Sequence, residues 1–440
     1  RLGSLSDTTA TRPTVVVSMN ATPDSVRSGC YLRWAMRAVH IVQSAPWPST
    51  DGTRLRNAAV ARALSRVADL HMVSLGVAGV SATDEESAAL AHGVERFFQV
   101  PVPPSRAATP VARWARSGRP RRLLPFETPE VRAGFASLAG SGLDIGGYDV
   151  VWLSSAYVAA AAPDGLGRRV VLDLDDDQRE LLRAARRARP AVGTDTGVRD
   201  RAAVWARWGT AQVANAVDAR RWDGVYDAAF AAADAVVVCS EDDRRRLHHR
   251  RMAVVPNGYE LAGRATSDRS PLPGVAVFVE RMSYEPNRDA AVWVAREVWP
   301  KVRAGRPDAV LRLVGRNADA VAELADCPGV EVVGEVDDVA DELRAAALAV
   351  VPIRFGGGTR LKVVEAMANR VPMVSTTLGC EGIDLRNGEH LLIADRAADF
   401  AAACERIFAD AALADRLAAA AAERFEKRYR WSTIEAGIGE

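Results

Sequence analysis

The sequence predicts an α/β protein built from two doubly wound parallel-sheet domains that face each other across a cleft. Three observations carry the prediction. Short apolar runs alternate with helical stretches along most of the chain. The runs are continuously apolar rather than alternating, which strands covered on both faces of a parallel sheet require. The alternation also stops once, in a Gly-, Pro- and Ser-rich stretch, and then restarts. A length of 440 residues suits two or three domains at roughly 150 residues each.

Taken in order, "RAVHIVQ" reads as a buried strand and "TRLRNAAVARALSRV" as a helix with apolar residues three and four apart. "LHMVSLG", "FFQVP", "YDVVWLS", "RRVVLDLD", "DAVVVCS" and "MAVVPNG" are further strands, which places the first domain at 36–258. A linker follows at 259–274, and the second domain at 275–410 opens on "VAVFVE" and a helix over 287–304. Its later strands are "AVLRLVG", "VEVVGEV", "LAVVPIRF", "VPMVST" and "HLLIAD", with helices predicted over 337–347 and 359–369. Both halves read as Rossmann-like, and helices from 411 to 440 are expected to pack back on the first domain. Ligands of open parallel sheets sit beyond the carboxyl ends of the strands, so motifs there carry the functional signal.

Residues 1–35 are polar and patternless, and Met36 stands just before the first convincing strand. That segment reads as a disordered or non-native extension, and "TVVV" is too short for the apolar core of a signal peptide. Fifty-seven basic residues face fifty-six acidic ones, so charge gives no global argument for nucleic acid and an anion site must be local. Five scattered cysteines without CxxC spacing point to a reduced, cytoplasmic protein with no cysteine-based metal site. No apolar run approaches the roughly 20 residues that span a bilayer. The basic stretch 105–125, with one tryptophan, reads first as a solvated surface and second as a peripheral contact with the inner membrane face.

One junction stands out: "PIRFGGGTRLKVVEAMA" at 352–368. Gly356, Gly357 and Gly358 end an apolar strand, and their bare backbone lets an anion approach their amides closely. Thr359 is a natural N-cap, and a helix N-terminus adds unpaired N–H groups and the positive end of a dipole. On a helical wheel, Leu361, Val364 and Ala368 share one face while Lys362 and Glu365 flank it. The ordinary reading of that pair is an i,i+3 surface ion pair worth a few tenths of a kcal/mol. Three consecutive glycines favour a phosphate site instead.

The stretch "PIRFGGGTRLKVVEAMANRVPMVSTTLGCEGI" resembles the donor-binding motif of retaining family-four glycosyltransferases of the GT-B fold. "PWPSTDGTRLRNAAVARAL", "VVPNGYE", "VERMSYEPNRDAAVWVAREVWPKV" and "VEVVGEVDDVADELRAAALAVVP" resemble further segments in the same order, so the likeness covers most of the chain from Met36. The resemblance implies transfer of a sugar from a nucleotide diphosphate sugar to a hydroxyl acceptor, with retention, without a metal or other cofactor. The acceptor would be a glycan, a lipid-linked molecule or a small metabolite.

Carried over position by position, Arg281 matches the family's phosphate-binding arginine. The lysine that should accompany it falls on Pro286, so Lys362 and Arg360 are the candidates to replace it. Glu365 matches the glutamate that holds the ribose, whereas the sugar-binding glutamate falls on Gly357. The acceptor-side histidine falls on Asp175, the first of three aspartates whose other reading is an acidic helix N-terminus. Gly52 would approach the donor or acceptor with its backbone, and Glu335 would sit beside the base pocket. Glu280 stands where the family has glycine. The predicted catalytic set is therefore Asp175, Arg281 and Lys362. The predicted donor-binding set is Gly52, Glu335, Gly356, Gly357, Gly358, Thr359, Arg360 and Glu365. Competing readings are a catalytically silent nucleotide-sugar-binding subunit of a partner transferase and a nucleotide-sugar epimerase. A dinucleotide oxidoreductase is disfavoured because no GxGxxG follows a strand.

Overall fold

The computed structural model describes residues 36–49, 52–76, 82–103, 111–187, 198–261, 269–356 and 360–438. The expected extension at 1–35 lies outside them. Seven parallel strands form the first sheet: β1 (Arg37–Val42), β2 (Asp69–Ser74), β3 (Arg96–Gln99), β4 (Tyr148–Ser154), β5 (Gly167–Leu174), β6 (Ala235–Val238) and β7 (Met252–Val254). Their spatial order is β3-β2-β1-β4-β5-β6-β7. Six parallel strands form the second: β8 (Leu272–Val279), β9 (Val310–Val314), β10 (Val330–Gly334), β11 (Ala346–Val351), β12 (Met373–Ser375) and β13 (Leu392–Ile393), in the order β10-β9-β8-β11-β12-β13.

Each sheet therefore winds outward in one direction and then returns to wind the other way. The reversals lie between β1 and β4 and between β8 and β11. Right-handed crossovers bury both faces of such sheets, which is why the strands read as unbroken apolar runs. Ala38, Val39, Ile41 and Val42 on β1, like Leu311 and Leu313 on β9, are fully buried. His40 is part of the same core. Its Nε2 lies 2.8 Å from Ser154 Oγ, and burial pushes its pKa down to about 3, so it is neutral.

Two expectations about helices change. The helix read over 287–304 is an α-helix Glu285–Trp293, one wide π turn Val294–Val298 and an α-helix Trp299–Gly305. Pro300 has no N–H to give to the preceding turn, and the ladder rearranges just ahead of it.

The C-terminal helices also do not cross back together. Ala397–Ala409 and Ala411–Arg428 bury Phe400, Ile407, Leu413, Leu417 and Phe425 in the second domain's core. Only Trp431–Ile438 reaches the first domain, where Trp431 and Ile434 pack on Ala59 of helix Gly52–Val67. Glu435 pairs there with Arg62 at 2.7 Å and Arg66 at 2.9 Å. The crossing is possible because Tyr259 pairs with the chain at 429–431, its N–H donating to Tyr429 O and its carbonyl accepting from Trp431 N. Gly258 allows that approach: a Cβ there would lie 2.8 Å from Tyr429 O and 2.9 Å from the Trp431 ring. No helix among the described residues is long and apolar enough to cross a membrane.

Candidate functional site

The carboxyl ends of β8 and β11 lie side by side at the reversal of the second sheet. β8 runs into Glu280 and Arg281 and then the helix Glu285–Trp293; β11 runs through Gly356 towards the helix Leu361–Ala368. Gly357, Gly358 and Thr359 lie outside the described residues. Gly356 has φ +111°, a conformation side chains disfavour, and a Cβ on it would stand 3.0 Å from Pro286 Cγ. Pro286, the position where a lysine was expected, therefore forms one wall of the glycine corner. Arg360 ties the corner together, donating from Nη2 to Gly356 O at 2.9 Å and from Nε to Leu378 O at 3.4 Å.

The helix differs from its expected form. Arg360, not Thr359, is the residue at its N-cap, and it makes no side-chain capping bond. Nor does the helix show one apolar stripe with charged flanks. Val363, Val364, Glu365, Ala366, Met367 and Ala368 are all buried, because helix Ala411–Arg428 covers the side that the wheel assigned to solvent. Glu365 is only 8% exposed. A carboxylate in that position needs a partner, and Lys362 Nζ supplies it at 2.9 and 3.1 Å from the two oxygens. Burial pulls the Lys362 pKa down, but Glu365 and Glu280 together raise it above its ordinary value, so the ammonium is retained.

Glu280 is half-buried at the end of β8. It does not pair with Arg281; its Oε2 accepts from Asn287 Nδ2 at 2.9 Å, and the same amide donates to Arg281 O at 3.1 Å. Burial raises its pKa, against the fields of Lys362 and Arg360. Arg281 itself is exposed at the lip.

Arg316 was not anticipated. It follows β9, and its charge acts on Lys362. Gly315 brings it close: at φ +132°, any Cβ there would collide with the Glu280 carbonyl. The signal available in the sequence was "LVGR", a basic residue just past a strand end, as in "FVER". Glu335 stands apart, exposed beyond β10 at the sheet edge, two strands from β8. Cys380 is buried, and burial raises its thiol pKa, so it is inert.

Opposite this corner stands the end of β5. The three aspartates that follow it have three different environments. Asp175 accepts from Thr53 Oγ1 at 2.7 Å. Asp176 accepts from Gln178 Nε2 at 2.8 and 2.9 Å, and Gln178 Oε1 accepts in turn from Tyr157 Oη at 2.8 Å. Asp177 caps helix Gln178–Arg187 by accepting from Arg179 N and pairs with that arginine's side chain, both at 2.9 Å. Burial, then the neighbouring Asp175 charge, pushes Asp176 up to about 7. Behind them Asp173 and Arg56 form a buried pair at 2.6 Å, and Arg56 also donates to Asn257 Oδ1 at 2.9 Å.

The two lobes meet at this point. A methyl group on Gly52 would overlap Leu361 Cδ1, so the first lobe's backbone touches the start of the second lobe's site helix. Tyr284 of the second lobe feels the charges of Arg360 on its own side and of Asp176 and Arg122 across the gap. Arg246 also pairs with Glu381 at 3.5 Å. Arg122 belongs to the basic segment 105–125, whose described residues include exposed Arg113, Arg116 and Arg122, as a solvated surface requires, but also tethered ones. Arg121 is held by Asp218 at 2.7 Å, and Arg119 pairs with Glu127. Trp114 Nε1 donates to Asp218. The segment's residues 105–110 lie outside the described residues. The membrane contact assigned to it has no support in these pairings.

Residues 273–410 match the family Glycosyl transferases group 1. A curated relative, described as an uncharacterized 44.6 kDa protein in the cps region of Klebsiella pneumoniae, is 28% identical over 130 residues, covering 27% of this chain and 33% of the relative. That match spans about a third of the relative's length. Among solved structures, sucrose-phosphate synthase from Thermosynechococcus elongatus superposes with a TM-score of 0.62 at 16% identity, covering 92% of this chain and 97% of the other. Anabaena Alr3699/HepE, in complex with UDP and glucose, gives 0.55 at 13%, covering 92% and 98%. WaaG, a glycosyltransferase involved in lipopolysaccharide biosynthesis, gives 0.52 at 12%, covering 91% and 98%. At these identities the superpositions establish architecture. The chain thus has the GT-B fold, and its residues 273–410 are similar to Glycosyl transferases group 1.

Proposed function

We propose that the protein is a glycosyltransferase that moves a sugar from a UDP-, GDP- or dTDP-sugar to a hydroxyl acceptor, with retention and without a metal. One observation carries the reading: the four cations Arg281, Arg316, Arg360 and Lys362 outnumber the three carboxylates Glu280, Glu365 and Glu381 beside Gly356, where the two lobes meet. Fixed cations and backbone N–H groups at a sheet reversal stabilise a departing diphosphate. The UDP complex of the similarly folded Alr3699/HepE supports a nucleotide donor. In the step itself, the bond from the anomeric carbon to the phosphate oxygen breaks and the electron pair stays on the phosphate. The acceptor oxygen bonds the same face of the carbon, and its proton passes to the departing phosphate.

The Asp175–Asp176 pair faces that corner from the first lobe. Asp175 is tied to Thr53, whereas Asp176 acts on Tyr284 across the gap. In this reading Asp176, as the carboxylate, accepts a hydrogen bond from a second, non-reacting hydroxyl of the acceptor and so positions the reacting one, whose proton goes to the phosphate. Because its folded pKa is raised to about 7, the required form is lost as pH falls through 7. The rate at limiting acceptor should therefore decline below pH 7, and Asp176→Asn should remove that limb and lower the rate by about 10²-fold. The sign for stability is opposite. Between the unfolded value of about 4 and 7 the folded state holds the extra proton, so Asp176 makes the protein less stable as pH rises through that window.

The test is to incubate the protein with a panel of nucleotide sugars and follow nucleotide release with and without hydroxyl acceptors. Acceptor-dependent release is expected for one donor. Tight binding with no release under any condition would instead favour a silent binding subunit, a reading that Pro286 and Gly357 support by standing where lysine and glutamate were expected. Release that needs no acceptor would indicate hydrolysis or epimerase-like chemistry. No binding of any nucleotide sugar would overturn the proposal.

A further inference from the structure

Tyr284 stands at the start of the helix Glu285–Trp293, beside the glycine corner. Its backbone is fixed from both sides. The N–H donates to Arg281 O at 3.2 Å, and the carbonyl accepts from Asn287 N at 2.9 Å and Arg288 N at 3.0 Å. The side chain runs along the wall that Pro286 makes: Tyr284 Oη lies 3.8 Å from where a Cβ on Gly356 would stand. The residue is half-buried, yet its hydroxyl makes no hydrogen bond among the described residues. Tyrosine hydroxyls in such positions usually have a partner. Four charged side chains from four segments act on this phenol. Arg360 and Arg281 come from the donor side, Asp176 and Arg122 from the first lobe. Burial outweighs the three arginines and raises its pKa, so the hydroxyl keeps its proton at neutral pH.

We propose that Tyr284 grips the transferred sugar of the donor, its hydroxyl bonding one of the sugar hydroxyls. The inference rests on the glycosyltransferase reading and adds to it the residue that holds the sugar. In such a transfer the anomeric carbon must reach both the departing phosphate oxygen and the acceptor oxygen. The sugar therefore lies where the cation corner and Asp176 are both at hand, which is where the Tyr284 hydroxyl stands. The sequence shows why another group is needed there. The carboxylate expected to bind the sugar falls on Gly357, the neighbour of the glycine that the phenol approaches. A phenol both donates and accepts, so it can bond a sugar hydroxyl in either sense. It also adds no negative charge beside a diphosphate, as a second carboxylate next to Glu280 would. The phosphate itself is served by Arg281, Arg360 and Lys362, whose charged donors bind it more strongly than a neutral hydroxyl does.

The test is Tyr284→Phe, which keeps the ring and removes only the hydroxyl. Calorimetry of the full chain would compare UDP, GDP and dTDP with UDP-glucose, GDP-mannose and dTDP-glucose. The variant should bind the bare nucleotides as the parent does. It should bind the parent's preferred nucleotide sugar about 3- to 10-fold more weakly, the loss of one hydrogen bond between neutral groups. A merely structural role would not separate the two kinds of ligand. Deoxygenating the bonded sugar hydroxyl should have the same effect, so that parent and variant bind that monodeoxy analogue alike. Unchanged affinity for nucleotide sugars, or an additive loss with every monodeoxy analogue, would overturn this inference and leave the proposed function standing. Equal losses for nucleotide and nucleotide sugar would put the hydroxyl on the phosphate and overturn it as well. A parent that binds no nucleotide sugar would overturn the proposed function, and this assignment with it.

Discussion

Lys362→Ala should weaken nucleotide diphosphate binding by about 10- to 100-fold, the loss expected for one hydrogen bond to a charged group. The ammonium is half-exposed to the cleft on one side and held by Glu365 on the other. Its pKa is raised in the folded protein, so its charge is fully present below the ordinary lysine value and disappears only as pH rises through a still higher one. Binding should therefore show no pH dependence from Lys362 between pH 6 and 9. Glu365→Ala should weaken binding as well, because Lys362 then loses the group that positions it. Calorimetry with UDP and GDP, alongside thermal unfolding of each variant, separates loss of the site from loss of the fold. If both variants bind nucleotide as the parent does, the phosphate site has been placed wrongly.

Arg56→Ala should cost the first domain about 3–5 kcal/mol, the usual penalty for removing one partner of a buried ion pair. The pair has almost no contact with water, with side chains 2% and 1% exposed. Burial lowers the Arg56 pKa, but the Asp173 carboxylate more than reverses this, so the guanidinium stays charged. Its removal leaves Asp173, among the described residues, with Trp152 Nε1 at 3.2 Å, and takes a donor from Val255 O and Asn257 Oδ1. A urea titration should show the first domain's midpoint falling with the slope unchanged. Because Arg56 also joins β5 to the chain at 255–257, the variant should loosen the approach to Gly258 and the crossing helix. Replacing both charges, as Arg56→Met with Asp173→Leu, should recover part of the loss. A single variant as stable as the parent would show that the pair does not hold the domain together.

The strands were legible because each is a local event: a short, continuously apolar run between turn formers has few other ways to bury itself. The glycine corner was legible for the same reason, since Gly356, Arg360, Lys362 and Glu365 are close in sequence as well as in space. The opposite lobe was not. Arg122 looked like part of a basic surface, Arg316 like a loop residue and Tyr284 like a helix start, because what makes them part of one site is a meeting of segments far apart in the chain. The helix Leu361–Ala368 was misread in burial for a related reason. Its periodicity reports the sheet beneath it and is silent about a helix from 411–428 laid over its other side.

By itself, then, the sequence determined two parallel-sheet domains, the order of their elements, and a cluster of glycines and cations at the end of one strand. Those follow from local periodicity, turn chemistry and the charge of neighbouring residues. Only the tertiary structure decided that Asp175, Asp176 and Asp177 have three separate partners, that Pro286 walls the corner, that Arg122 and Arg316 join it, and that one C-terminal helix rather than two returns to the first domain. The physical reason is that a side chain's partner depends on which distant segment folds against it. Apolar patterning says that a face will be covered, while long-range packing chooses the covering group.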